Sequence, residues 1–251
     1  MYVSITTLKE NGWKAIKDRY WEALLADFLN STITSTVVGI ISGIISTISV
    51  LVLNFAIFGS VIAFDSDNTA LGILGVIISV IVYLLFFVVI YATILLTIAF
   101  IQEPMNVGKY KYYLNNRTGS AQLNDIFFGV TSNYKNIAKV SFFKYLSVLL
   151  WSLLFMIPGI IKQYEYVMVP YILAENPDMD SKEAMALSSR LMDGHKFDFF
   201  IFTLSFIGWF LLASFTGGIG TLFLMPYFNA SITEYYEYVK AASSVNTEIP
   251  Q

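Results

Sequence analysis

"FLNSTITSTVVGIISGIISTISVLVLNFAIFGSVIAF", residues 28–64, carries no Asp, Glu, Lys or Arg anywhere along its length. About 20 apolar residues in a helix already cross the ~30 Å hydrocarbon core of a bilayer. A charge left in that core costs several kcal/mol, which explains the absence. A second charge-free run extends from Asn68 to Gln102, beyond a short polar turn, "DSDN", at 65–68. Two such runs decide the class: the chain reads as a polytopic membrane protein, all-α, in a bundle of transmembrane helices.

Composition agrees. Hydrophobic residues make up 56% of the 251 residues and charged residues 13%, about half the charged share of an ordinary soluble domain. The chain has no cysteine and a single histidine, His195. Disulfides, thiolate nucleophiles and multi-histidine metal sites are therefore excluded. The first 25 residues, "MYVSITTLKENGWKAIKDRYWEALL", lack the apolar stretch and small-residue cleavage site of a signal peptide, so insertion is expected to start at the first internal span.

Outward from the two runs, the rest of the chain parses into polar and apolar stretches. Trp13, Ile16, Tyr20, Leu24 and Phe28 recur at spacings of three and four, which predicts an amphipathic helix at the membrane surface over residues 13–28 and makes 1–27 an amphipathic N-terminal segment. The second span is expected to stop at Pro104, where a backbone N–H is missing. Residues 103–140, basic and rich in Tyr and Phe, read as a polar cytoplasmic loop in the headgroup zone. A short central hairpin follows, with arms 142–157 and 159–174 turning at Pro158 and Gly159. Residues 175–198 predict a cytoplasmic amphipathic helix, capped by Asp180 and closed by Gly194. Two last spans, about 199–215 and 219–236, flank Gly217, Gly218 and Gly220.

About six spans in one integral membrane domain, 1–251, place 14 of the 15 Lys and Arg residues on one side, leaving only Lys162 opposite. The positive-inside bias then puts both termini in the cytoplasm. The central arms are short for full spans, so a re-entrant pair stays open beside two crossings.

Candidate site residues are few. "SFTGGIGTLFLMPY", 214–227, has the look of a carbonyl filter, but one such loop without a symmetric assembly reads better as a tight turn that brings two helices close. Lys162 and Glu165, with Tyr164 between them, share a helix face near a membrane boundary. They are the one speculative intramembrane polar site, although a pair snorkelling beside its tyrosines accounts for them without function. No nucleophile–base pair, phosphate-cradling loop or paired carboxylates stand out, so no catalytic, cofactor or metal residue is expected and the chain reads as non-enzymatic. The expected partners are the lipid bilayer and other membrane proteins; no nucleic acid is expected.

Several motifs, taken in order, resemble one family. They are "PGI" at 158–160, "PYIL" at 170–173, "NP" at 176–177, "EA" at 183–184, Ser189, "MDGHK" at 192–196, "LSFIGW" at 204–209, Thr216, "GIG" at 218–220 and "PY" at 226–227. Together they resemble the bacterial membrane family named domain of unknown function 975, strongly over the C-terminal 40% of the chain. The N-terminal half is similar only in layout, through "GWKAI" and "IFFGV". The resemblance implies a cytoplasmic (plasma) membrane protein of a Gram-positive bacterium with about six spans, and it supplies no catalytic residues. A more distant similarity is to the membrane portion of glycerophosphodiester phosphodiesterases, whose soluble catalytic domain has no counterpart here. Two functions follow as expectations: an accessory, interaction or envelope-protection protein, or a transporter or binding protein for a small or lipophilic solute.

Overall fold

A computed structural model describes residues 4–64 and 69–247; the expected polar turn at 65–68 and the end of the chain lie outside the described residues. Among those described, the regular structure is helical throughout: α1 (Ile5–Ile16), α2 (Tyr20–Phe64), α3 (Thr69–Thr97), α4 (Glu103–Arg117), α5 (Phe128–Thr131), α6 (Tyr134–Leu154), α7 (Met156–Glu165), α8 (Val169–Glu175), α9 (Ser181–Leu191), α10 (Lys196–Leu204), α11 (Ile207–Ser214) and α12 (Ile219–Thr247). The chain divides into two compact units. One is Thr34–Ile98; the other comprises the chain up to Ile33 and from Ala99 onward.

Within Thr34–Ile98, two long helices show bulky apolar side chains on every face. Ile44, Leu51, Phe55, Leu74, Leu84 and Val88 are all exposed. The helices are joined by Ser79, whose hydroxyl donates to the Ala56 carbonyl at 3.0 Å. A helix that is apolar all round belongs to the core of a large protein or to a membrane span. Four helical stretches are long and apolar enough to cross a membrane: Ile5–Ile62, Ala70–Arg117, Tyr134–Leu154 and Lys196–Ser214.

The other unit is built around a core of its own. Ser4 caps α1 by accepting the Thr7 N–H at 3.1 Å. Leu8, Gly12 and Ile16, each four residues apart, are buried against α12. A Cβ on Gly12 would stand 2.6 Å from Ser231 Oγ, so this glycine sets how closely the two helices approach. The expected lipid-facing stripe needs correction. Ile16 is in the core, while Trp13 and Phe28 are exposed. A 3-10 turn at Lys17–Arg19 separates α1 from α2, and its three residues per turn rotate the buried face, which continues through Ala23, Ala26 and Asp27.

Pro104 does not end its helix. A π-helical turn, Ile98–Gln102, carries α3 into α4, with the proline in the first turn of α4. Its missing N–H would have bonded the Phe100 carbonyl; that oxygen instead accepts from Tyr134 Oη at 2.9 Å. Residues 103–140 are accordingly no loop. Their helices pack so tightly that a Cβ on Gly108 would lie 2.0 Å from the Ile126 carbonyl oxygen, and one on Gly129 would lie 1.9 Å from that of Pro104. Tyr112, Tyr113 and Ile126 are fully buried there.

The central hairpin also turns elsewhere than expected. The chain reverses at Phe155, the one extended residue between α6 and α7 (φ −157°, ψ 146°). Pro158 sits in the first turn of α7, where a proline is at home, and Gly159 lets α7 close onto Ser152 of α6. The second arm, 159–174, is two short helices rather than one span, and α8 is buried almost throughout. Tyr171 of α8 stacks between Tyr110 and Tyr236, with ring centroids 4.1 and 5.0 Å apart. Asp180 caps α9 and Gly194 follows it at φ +73°. The buried face of α9 carries Ala184 and Leu191, so this helix packs into the unit.

Candidate functional site

Glu165, the last residue of α7, is buried and has both carboxylate oxygens engaged. Lys162 Nζ donates to Oε2 and Lys196 Nζ to Oε1, each at 2.6 Å. The backbone beneath is held as well: Ser188 Oγ donates to the Glu165 carbonyl at 2.7 Å and accepts the Met168 N–H at 3.3 Å. Lys162 also lies 5.4 Å from the Trp151 ring centroid. Tyr164 points edge-on at Phe199 and Phe200. Burial raises the Glu165 pKa, but the bonds from the two lysines outweigh it and hold the carboxyl below its usual value. The same bond holds the Lys162 ammonium above its own. A carboxylate kept ionised between two ammoniums is a clamp rather than a proton acceptor.

Lys196 is the member that sequence reasoning missed. It starts α10, 31 residues from Glu165, and no periodicity connects the two. Lys162 and Lys196, which the sequence reading separates onto opposite sides, thus reach one carboxylate.

A second polar cluster is buried in the same unit. Asp27 accepts from Tyr113 Oη at 2.7 Å and from Asn229 Nδ2 at 2.9 Å. These bonds join three helices whose members are distant in sequence. Nearby in the chain, Glu103 pairs with Lys144 at 3.4 Å and accepts from Tyr145 Oη. Both ions of that pair are buried. Asp27 is the last acidic residue before the charge-free run, which was the only signal available for it; on an isolated helix it reads as part of a solvated face.

The glycines at 217–220 make a turn. Gly217 and Gly218 take φ +66° and +89°, conformations that favour glycine. Thr216 Oγ1 donates to the Ala213 carbonyl and accepts the Gly220 N–H, both at 2.7 Å. A Cβ on Gly220 would stand 2.9 Å from Ala213 Cα, so α11 and α12 touch almost backbone to backbone. Below the turn lies an apolar groove of about 560 Å³, lined by Trp13, Tyr20, Trp209, Phe223 and Tyr227 among others. Tyr20 Oη is spent on the Phe223 carbonyl at 2.6 Å, so the lining offers little but hydrocarbon and aromatic faces. Among the described residues, no group of three His, Cys, Asp or Glu side chains could hold a metal ion.

Residues 122–243 match the model of the family described as "Protein of unknown function (DUF975)". The match bears out the resemblance seen in the motifs and begins well before them, in the segment leading into α5. No curated protein and no solved structure matches the chain.

Proposed function

Taking as premise that residues 122–243 belong to the domain of unknown function 975 family, we propose that the chain is an integral protein of a bacterial cytoplasmic membrane. Its role in this reading is non-enzymatic: an accessory or protective protein that acts through contact with the lipid bilayer and with other membrane proteins. The observation that carries the reading is how the ionisable groups are used. Glu165 ties α7 to α10, Glu103 ties α4 to α6, Glu175 ties α8 to α12, and Arg117 ties α4 to Glu234 and Glu237 of α12. Charges committed to holding helices together are poor candidates for turnover, whereas the exposed apolar surface is large. With Lys162 beside Lys196, the bias of Lys and Arg toward one side becomes stronger, which supports a cytoplasmic location for the unit that holds all 15 of them.

The test is genetic and biochemical together. Alkaline carbonate should leave the full chain in the membrane pellet, and deleting the gene should raise sensitivity to membrane-active cationic peptides. A deletion strain with unchanged envelope-stress sensitivity and no co-purifying membrane protein would remove the accessory role. A second reading, a binding protein for a lipophilic solute, is favoured only by the aromatic groove. Reconstituted protein whose tryptophan fluorescence is unmoved by hydrophobic probes would sink it.

A further inference from the structure

Two apolar tips project from the unit that comprises the chain up to Ile33 and from Ala99 onward, and the charges at their bases leave each too short for a crossing. At the first, Leu153, Leu154, Phe155, Met156 and Ile157 are all largely exposed around the reversal between α6 and α7. At the second, Phe215 at the end of α11 is 87% exposed, and Leu211, Leu212 and Ile219 beside it are exposed too. Each tip is uncharged, and each is limited by a charged base close by.

For the first tip the base is the Lys162–Glu165–Lys196 clamp, with Trp151 against Lys162. From Phe155 to Lys162 the helix rises only roughly 10 Å at 1.5 Å per residue. The second tip looks longer in sequence, since no charge occurs from Phe199 to Thr233. The structure shortens it. Lys9 donates to the Ser205 carbonyl at 3.0 Å and lies over the Phe206 ring, so one arm meets a cation at that level. On the other arm, Tyr20 bonds the Phe223 carbonyl, and the exposed charges of Lys17, Asp18 and Glu22 lie within three residues of Tyr20 in the chain. From Phe223 to Gly218 leaves roughly 8 Å of helix. Neither tip can cross a core of about 30 Å while these charges stay at its edge.

We propose that the α6–α7 and α11–α12 tips are membrane anchors that dip into the hydrocarbon of a single leaflet and return, with Phe155 and Phe215 as the deepest points. The occupant of these two surfaces is lipid acyl chain. Aromatic Trp151, Trp209 and Tyr20 then lie toward the headgroups, where an apolar ring with a polar edge is best placed. Helical arms satisfy their own backbone hydrogen bonds, and each reversal is only one to a few residues long. Thr216 and the helix-terminal bonds cover the second turn. The inference rests on the membrane reading but is separable from it: a protein can be integral through Thr34–Ile98 whether or not the tips insert.

The native chain has no cysteine, so single substitutions can be labelled cleanly. Full-length Phe155→Cys, Phe215→Cys, Gln163→Cys and Leu84→Cys would be treated with a membrane-impermeant maleimide in intact cells and in inverted vesicles. Phe155→Cys and Phe215→Cys should label about tenfold less than Gln163→Cys from either face, because the reagent needs a water-solvated thiolate. A spin label at the two tips should collide with oxygen and not with a water-soluble nickel chelate, which separates burial in lipid from burial in protein. Tips that label from the face opposite Gln163 are full spans, and the proposal fails. Tips that label from the Gln163 face are not inserted, and it fails equally. If Leu84→Cys labels as well, the membrane reading itself falls and takes the anchors with it. The milder Leu154→Ser and Ile219→Ser variants serve for spin-label depth at neighbouring sites if a tip cysteine lowers expression: paired with a label at Trp151 or Phe223, they should shift its depth toward the aqueous phase, and an unchanged depth counts against insertion.

Discussion

Leu84 in α3 leaves 60% of its surface bare, whereas Leu173 in α8 leaves none. The difference runs through the two units. Thr34–Ile98 has no charged residue apart from Asp65 and Asp67, shows its large side chains outward and joins its helices by a serine–carbonyl bond. The other unit stacks tyrosines in its centre, buries Asp27, Glu103 and Lys144, and lets backbones touch at glycines. One region draws its order from hydrogen bonding within its own helices. The other draws it from close packing and from buried polar groups bonded between helices, as at Asp27 and Glu165. Substitutions of one kind should therefore behave differently in the two.

Glycine is the sharpest probe. Gly129→Ala puts a Cβ into a backbone carbonyl, and should destabilise the detergent-solubilised protein by about 3 kcal/mol, the upper end for overpacking. Gly43→Ala and Gly59→Ala meet nothing within 4 Å, and should be neutral or gain up to about 1 kcal/mol from helix propensity. Thermal unfolding followed by far-ultraviolet dichroism reads both; equal losses at the three sites would erase the distinction between the units.

Asp27→Ala is expected next in size. It leaves Tyr113 Oη and Asn229 Nδ2 buried without their acceptor, at a cost of about 2–3 kcal/mol. Asp27→Asn, which keeps an acceptor oxygen, should recover part of that. A stability unchanged by Asp27→Ala would mean the cluster contributes nothing to the core.

Glu165→Gln should cost less, about 1–2 kcal/mol, since water reaches both lysines and screens the loss. The pH dependence has a definite sign. The Glu165 pKa is lowered in the folded chain, so its contribution is complete above the ordinary carboxylate range and disappears as pH falls through the lowered value. Wild type should lose stability relative to Glu165→Gln over that acid window, and parallel curves would show that the clamp is inert. The smallest effect belongs to Leu84→Ala, below about 0.5 kcal/mol, because an exposed side chain leaves no cavity in the protein.

Much of the helical plan was legible in the residues themselves. Charge-free runs marked α2 and α3, Asp180 and Gly194 bounded α9, and the glycines at 217–218 marked a turn because positive φ favours that residue. Pro104 misled, since a π-helical turn upstream and the Tyr134 hydroxyl from another helix absorb the missing bond. The amphipathic stripe of α1 misled for a related reason: three residues of 3-10 geometry shift the buried face, and hydropathy does not record that.

By itself, the sequence determined the helical class, the apolar demand of residues 34–98 and the match of residues 122–243 to one family model. These depend on composition, local pattern and ordered motifs. Only the tertiary structure decided that Lys162 and Lys196 share Glu165, that Asp27 meets Tyr113 and Asn229, and that charges on α1 run beside α12. Such contacts join residues tens to hundreds of positions apart. Hydropathy measures what each segment would do in lipid alone, and these segments are held by charges that arrive from elsewhere in the chain.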